Sequence, residues 1–477
     1  MTGKAPPQKI QQIQRLLSAK ASEEREYRFT NLYSLLRHPL WIETAYYKIR
    51  SNAGSRTAGV DGITRAKWEA ALDSNLHELV QEIKHGRFEP LPVKRRYILK
   101  ASGKRRPLGI PALKDRIIQE AMRMALDPIF EADFYPSSYG FRIGRSTHNA
   151  IQHVYRAMIG SGGRTFNYCI EGDIASYFDT VDQTILLRLI ARRVNDKKMM
   201  SLIKKFLHAG VMVGSQWEPT DTGVPQGGIA SPLFSNLYLH ELDRYLHQHY
   251  LSLSQQEKSK RRRNGLSNFI YARFADDFVL LCNGTHQQVL GMKAELKQFL
   301  SDHLRIELSE EKTLVTDTRE GFDFLGYRIY RAIRPGGTIV RTDVPRRAIV
   351  KVKEKIAETI SPKTCYLPET EVVRRLSQIL RGWGYYYRYA GNAGSMFNRV
   401  QRCAFWELAH WLGRKHKTRH MSSILKPPQL GGRCVRHQGI KTLCGIDQGK
   451  VETLFMLSSI KRRRREWKIN KPNPYLQ

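Results

Sequence analysis

The stretch FIYARFADDFVLLC, Phe269 to Cys282, constrains this chain most. Two runs of strand-forming apolar residues flank the adjacent carboxylates Asp276 and Asp277, the pattern of two strands joined by a tight turn. A charge pair at such a tip has two readings. It is a solvated turn, or it is half of a metal site, and the rest of the sequence decides.

At 477 residues the chain is long enough for two to four domains, each with its own core. Its net charge of +35 would strain a compact state by self-repulsion unless a polyanion is present, which points to nucleic acid. A membrane ranks well behind, because no stretch of about 18 apolar residues, signal peptide or acylation motif is present. Six scattered cysteines fit a reducing, cytoplasmic setting. From Gly321 to Gln477 there are 32 Lys and Arg against 10 Asp and Glu, which leaves only +13 of the +35 for the first 320 residues. The last third therefore reads as a binding surface and the centre as an enzyme.

Residues 1–50 read as a helical extension, and the Gly-rich Ser51–Thr64 as a loop. Pro92–Pro111 predicts a basic β-hairpin with strands Lys94–Lys100 and Arg105–Ile110. Asp115–Phe130 has helical spacing. Asn167–Asp182 reads as a strand, a turn and a helix, and Gly223–Leu246 as a Gly/Pro loop opening an amphipathic helix. Leu251–Gly265 is polar and basic, an exposed insertion. After Pro345 the chain is expected to be almost wholly helical and basic, ending in KRRRREWK.

Magnesium prefers oxygen ligands, a few carboxylates completed by water and substrate phosphates. Two-metal phosphoryl transfer needs carboxylates that bridge ions roughly 3.5–4 Å apart. The hairpin supplies two carboxylates, and Asp173 of EGDIASYFD, where a strand ends, offers a third. Asp179 and Asp182 read equally well as caps of the following helix. The loop TGVPQGGIASP lets backbone approach a flat substrate closely. Lys94, Lys100 and Arg106, spaced along the basic hairpin, suit the phosphates of a nucleoside triphosphate, although each alone reads as a solvated face.

The ordered blocks RRPLGIP, SSYGFRIGRSTHNAI, GDIASYFD, GVPQGGIASPLFSNLYL, YARFADDFVLL, LSEEKT and FDFLGY resemble those of a reverse transcriptase of the group II intron type. AGVDGIT resembles that family's extra N-terminal block, and RGWGYYYRYA its maturase (thumb) region. The resemblance implies an α+β right-hand polymerase: fingers over 51–165, a palm with a small antiparallel sheet over 166–335, a helical thumb/maturase domain over 336–425, and a basic DNA- or RNA-binding segment over 426–477. It implies Asp173, Asp276 and Asp277 as a catalytic triad for two Mg2+ ions, with Asp173 and Asp276 the direct ligands of both. Phe178, five residues after Asp173, matches a steric gate against the ribose 2′-hydroxyl. Gln226 and Gly227 would line the incoming nucleotide and template base, and Lys94, Lys100 and Arg106 would clamp the triphosphate. Lys312 would approach the leaving pyrophosphate, and Phe324, Leu325, Gly326 and Tyr327 would grip the primer end. Phe274 stands where the family most often has tyrosine, a change that keeps the ring.

Arg374, Arg375, Arg381 and Arg388 lie among Trp383, Tyr385, Tyr386, Tyr387 and Tyr389, a mixture suited to stacking on RNA bases and pairing with phosphates. The bland reading makes Trp383 and about half the tyrosines core. The family's C-terminal nuclease is not matched: Cys434, His437 and Cys444 have no CxxC pair beside them, so no zinc is expected. The implied activity is RNA-directed DNA polymerisation with assistance to intron splicing and target-primed homing. The implied partners are group II intron RNA, target DNA, an RNA template/DNA primer duplex and deoxynucleoside triphosphates. Two rivals stand: a domesticated reverse transcriptase of phage defence or a CRISPR system, and a splicing-only maturase with a vestigial polymerase site.

Overall fold

The computed structural model describes residues 7–99, 103, 105–159, 165–335, 337–418, 420–437, 439–461 and 473–476. Lys100 and 462–468 of the terminal basic run lie outside the described residues. The chain divides into two compact units, one of Met1–Val154, Phe166–Val315 and Ile469–Gln477, the other of Tyr155–Thr165 and Thr316–Lys468.

In the first unit the hairpin forms as its pattern predicts. Phe269–Phe274 pairs antiparallel with Asp277–Cys282, and Phe274 opposes Asp277, so Ala275 and Asp276 are a two-residue loop. Tyr168–Gly172 pairs on the other side of Asp277–Cys282, and Leu314–Asp317 completes a four-stranded sheet. The central strand FVLLC does not alternate polar and apolar residues because five of its six residues, Phe278 to Cys282, are buried. Helix Ser231–Leu246 backs the sheet, its Asp243 accepting from Tyr271 of the first strand at 2.9 Å.

The basic hairpin is real too, Val93–Leu99 against Arg105–Ile110, and it joins Val211–Val213 and Gln216–Glu218 in a second sheet. Helix Leu113–Glu131 is buried along nearly its whole length, wrapped by Gln8–Glu23 and Pro39–Arg50. Trp41 of the latter donates to the Ala121 carbonyl at 2.9 Å. The chain's last described residues return to this core: Asn473 donates to Ser18 Oγ and Tyr475 to Asp127 Oδ2, both at 2.8 Å. The basic insertion is an exposed helix, Gln255–Arg263, started by a reciprocal cap in which Glu257 N donates to Ser254 Oγ at 3.2 Å and Ser254 N to Glu257 Oε2 at 2.7 Å.

The second unit holds the sheet Gly337–Asp343, Tyr327–Arg334, Phe322–Phe324 and the helices Arg346–Thr359, Glu369–Tyr387 and Ala393–Lys415. The expectation of an almost wholly helical chain after Pro345 is corrected here. Cys434–His437, Ile440–Asp447 and Lys450–Thr453 form an antiparallel sheet packed on Glu369–Tyr387. Gln448 and Gly449, both at positive φ (47° and 76°), make the turn that a helix could not contain. The buried Glu369 carboxylate binds the sheet to the helices: it accepts from His416 Nε2 at 2.6 Å, Arg433 Nε at 2.7 Å and Ile446 N at 3.0 Å. Cys434 and Cys444 are buried in this sheet, and His437 is exposed. No described helix is long and apolar enough to cross a membrane.

Candidate active site

Asp173 follows directly on Tyr168–Gly172, and Gly172 opposes Phe278. The register therefore sets Asp173 level with Asp277 and beside the loop that carries Asp276. Burial pushes the Asp276 carboxyl up from the ordinary aspartate range; the charge of Asp173 adds to this, while Arg106 and Lys312 oppose it. Asp276 thus lies within electrostatic reach of Asp173, Arg106 and Lys312. The Lys312 ammonium lies 2.6 Å from Asp173 Oδ2, delivered by a loop whose Ser309 N donates to the Asp173 carbonyl at 2.8 Å. Asp182 caps the next helix, accepting from Ile185 N at 2.9 Å, and Asp179 is exposed.

The turn itself is clamped from behind. Arg273 is fully buried and ion-paired to Asp243, with Nε–Oδ1 at 2.8 Å and Nη2–Oδ2 at 2.5 Å. Its remaining hydrogens go to Asn236 Oδ1 at 3.1 Å, Ser138 Oγ at 2.9 Å and the Ala275 carbonyl at 2.9 Å. Ala275 sits at φ 59°, costly for a residue with a Cβ. Gly140 closes the other side: a Cβ there would lie 2.2 Å from Ala275 N. Sequence reasoning missed Arg273, although an arginine inside an otherwise apolar strand was a signal, since such a charge is seldom buried without a partner.

The loop after Asp221 is stitched to both neighbours. Val224 N donates to the Phe178 carbonyl at 2.7 Å, and Gly109 N to the Gln226 carbonyl at 2.6 Å. Gln226 Oε1 accepts from Arg106 Nε at 3.1 Å. Gly227, at φ 116°, meets Gly109 so closely that a Cβ would stand 2.3 Å from its carbonyl oxygen. Lys94 and Arg106 share one face of the hairpin by register. Arg95 and Tyr97, on the other face, line a cavity of about 360 Å³ together with Phe178, Val224 and Gln226. Neither was singled out from the sequence.

The donor set is hard oxygen, which suits Mg2+. Among the described residues no three His, Cys, Asp or Glu side chains converge as a ready-made cage.

In the second unit Phe324 pairs with Tyr327 and leaves Leu325–Gly326 as a hairpin loop. Arg374 and Arg375 both pair with Glu371 at 2.6 Å. Arg381 lies over the Phe455 ring at 4.9 Å, and Arg388 near Tyr385 and Tyr389 at 5.7 and 4.7 Å. Trp383 packs against Phe397 and Tyr387, whereas Tyr385 is exposed.

Residues 98–329 match the reverse transcriptase (RNA-dependent DNA polymerase) family, and residues 349–427 match the group II intron, maturase-specific domain. The chain is thus an RNA-directed DNA polymerase with a maturase-specific domain attached. It is 33% identical over 476 residues to the group II intron-encoded protein LtrA of Lactococcus lactis subsp. cremoris, covering 84% of this chain and 77% of that one. It is 39% identical over 337 residues to protein YkfC of Escherichia coli K12, covering 68% and 88%. An uncharacterized 91 kDa protein in the cob intron of Schizosaccharomyces pombe is 27% identical over 446 residues, covering 80% and 54%. The chain belongs to the group II intron-encoded reverse transcriptase/maturase family.

Proposed function

We propose that this right-hand polymerase copies intron RNA into DNA from a primer at a DNA target, and that the same chain assists splicing of that RNA. The observation that carries the polymerase reading is the strand register that sets Asp173 beside the Asp276–Asp277 turn, with the Lys312 ammonium 2.6 Å from Asp173 Oδ2. Asp173 and Asp276 would hold the two Mg2+ ions directly, with Asp277 the third carboxylate of the triad. When bound, these ions would supply the Lewis acid for the primer 3′-hydroxyl and the α-phosphate. Arg106, with Lys94 and Lys100, neutralises the triphosphate, and Lys312 the departing pyrophosphate. Phe178 excludes a 2′-hydroxyl from the sugar site. Gln226 and Gly227 seat the nucleotide and template base, and Phe324–Tyr327 hold the primer end.

Arg374, Arg375, Arg381, Trp383, Tyr385 and Arg388 form the RNA-binding set of the thumb, and the +22 carried by residues 321–477 should drive binding by counterion release that weakens with salt. The test is the double variant Asp276→Asn, Asp277→Asn. It should lose cDNA synthesis while keeping RNA affinity and splicing assistance. Equal loss of splicing in a folded double variant would end this division of labour, and cDNA synthesis at the wild-type rate would end the polymerase assignment.

A further inference from the structure

The loop Leu325–Gly326 is held by tyrosines of the helix that carries the maturase motif. Leu325 is at φ 48° and Gly326 at φ 76°, the two left-handed residues of a type I′ turn. Glycine adopts that conformation freely, but leucine does not, because its Cβ crowds the backbone there. Both loop carbonyls accept from helix Glu369–Tyr387. Tyr386 Oη donates to the Leu325 carbonyl at 2.6 Å, and Tyr387 Oη to the Gly326 carbonyl at 3.1 Å. Tyr327, closing the hairpin, donates back to the Tyr386 carbonyl at 2.5 Å. Its ring lies 5.7 and 5.2 Å from theirs. A Cβ on Gly326 would come within 3.3 Å of Tyr387 Oη. The two hydroxyls therefore sit where they offset the strain that Leu325 puts into the loop.

We propose that Tyr386 and Tyr387 are positioning residues for DNA synthesis: they hold the Leu325–Gly326 loop in the shape that presents the primer end. This rests on the reading of Phe324–Tyr327 as the primer-end element. It assigns two rings of RGWGYYYRYA to polymerisation, while Tyr385, exposed on the same helix, remains available to RNA. One helix then serves both activities through different faces.

The test is single-nucleotide extension of an RNA template/DNA primer duplex by the full-length Tyr386→Phe, Tyr387→Phe variant, with affinity for a single-stranded RNA oligonucleotide measured in parallel. The extension rate should fall about tenfold, equivalent to about 1.4 kcal/mol, with the KM for the nucleotide and the RNA affinity unchanged. Wild-type extension by the double variant, or a loss of RNA affinity equal to the loss of extension, overturns the proposal. If the double variant fails to fold, the single Tyr386→Phe variant carries the same test. Gly326→Ala separates the two layers: normal extension there sinks the primer-end reading itself. Impaired extension there, beside a normal double variant, sinks only the role of the tyrosines.

Discussion

Lys312 lies with its ammonium nitrogen 2.6 Å from Asp173 Oδ2, across two side chains that stay 62% and 33% exposed. So open a pair contributes about 0–1 kcal/mol to stability. Its position on a proposed metal ligand matters more, because the lysine competes with any cation for the same oxygen. Lys312→Met should melt with the wild type yet extend primers about 10²-fold more slowly. Its half-maximal Mg2+ concentration should also be lower. A magnesium titration that superimposes on the wild type would refute the competition.

Arg273 holds the Asp276 turn through the Ala275 carbonyl while its charge is matched by Asp243. Removing one partner of a buried pair typically costs about 3–5 kcal/mol, so Arg273→Met should unfold at a clearly lower denaturant concentration. Ser138→Ala removes a single bond to the clamp and should keep the fold. Extension by that variant should drop several-fold, since small misplacements of reacting groups cost up to about 10²-fold. Denaturation curves and single-turnover extension, measured together, check both statements.

Phe178 lines the same cavity as Gln226, and its carbonyl is fixed by Val224 N. Truncating the ring opens space without disturbing that backbone bond. Phe178→Ala should raise incorporation of ribonucleotides relative to deoxynucleotides by at least tenfold, about 1.4 kcal/mol. Competition between the two sugars in primer extension measures it directly, and an unchanged ratio removes the gate.

Asp115 is 1% exposed and accepts from Leu91 N at 3.1 Å. Burial pushes its carboxyl up to about 7. A folded-state pKa raised above the unfolded one means that the charged form opposes folding. The cost is complete above pH 7 and shrinks as pH falls toward 4. Asp115→Asn keeps an acceptor for Leu91 N without the charge. Its melting temperature should exceed the wild type's most at pH 8, and the gap should close on acidification. A gap independent of pH would show that Asp115 is not the titrating group.

The parts of the site legible in the sequence are those set by local spacing. The hairpin around Asp276, the strand end before Asp173 and the Gly/Pro loop opening Ser231–Leu246 all follow from neighbours within a few positions. What stayed hidden depends on distant partners. Arg273 finds Asp243 thirty residues upstream, and Ser138 over a hundred away. Arg95 and Tyr97 line a cavity because a loop more than a hundred residues later closes it. The C-terminal strands CVRH and KVET, half and three-quarters polar, are only four long, too short to display a period.

Glu369 has a consequence for how this protein is dissected. The maturase-specific match stops at residue 427, yet two of the three groups that satisfy this carboxylate, Arg433 and Ile446, come later in the chain. A fragment trimmed at the end of the match would leave a buried anion with His416 alone and bare the side of Glu369–Tyr387 that the strands cover. Lost splicing in such a fragment would report a collapsed helix rather than a missing contact with RNA, so deletions meant to separate the activities should retain everything through Ile460.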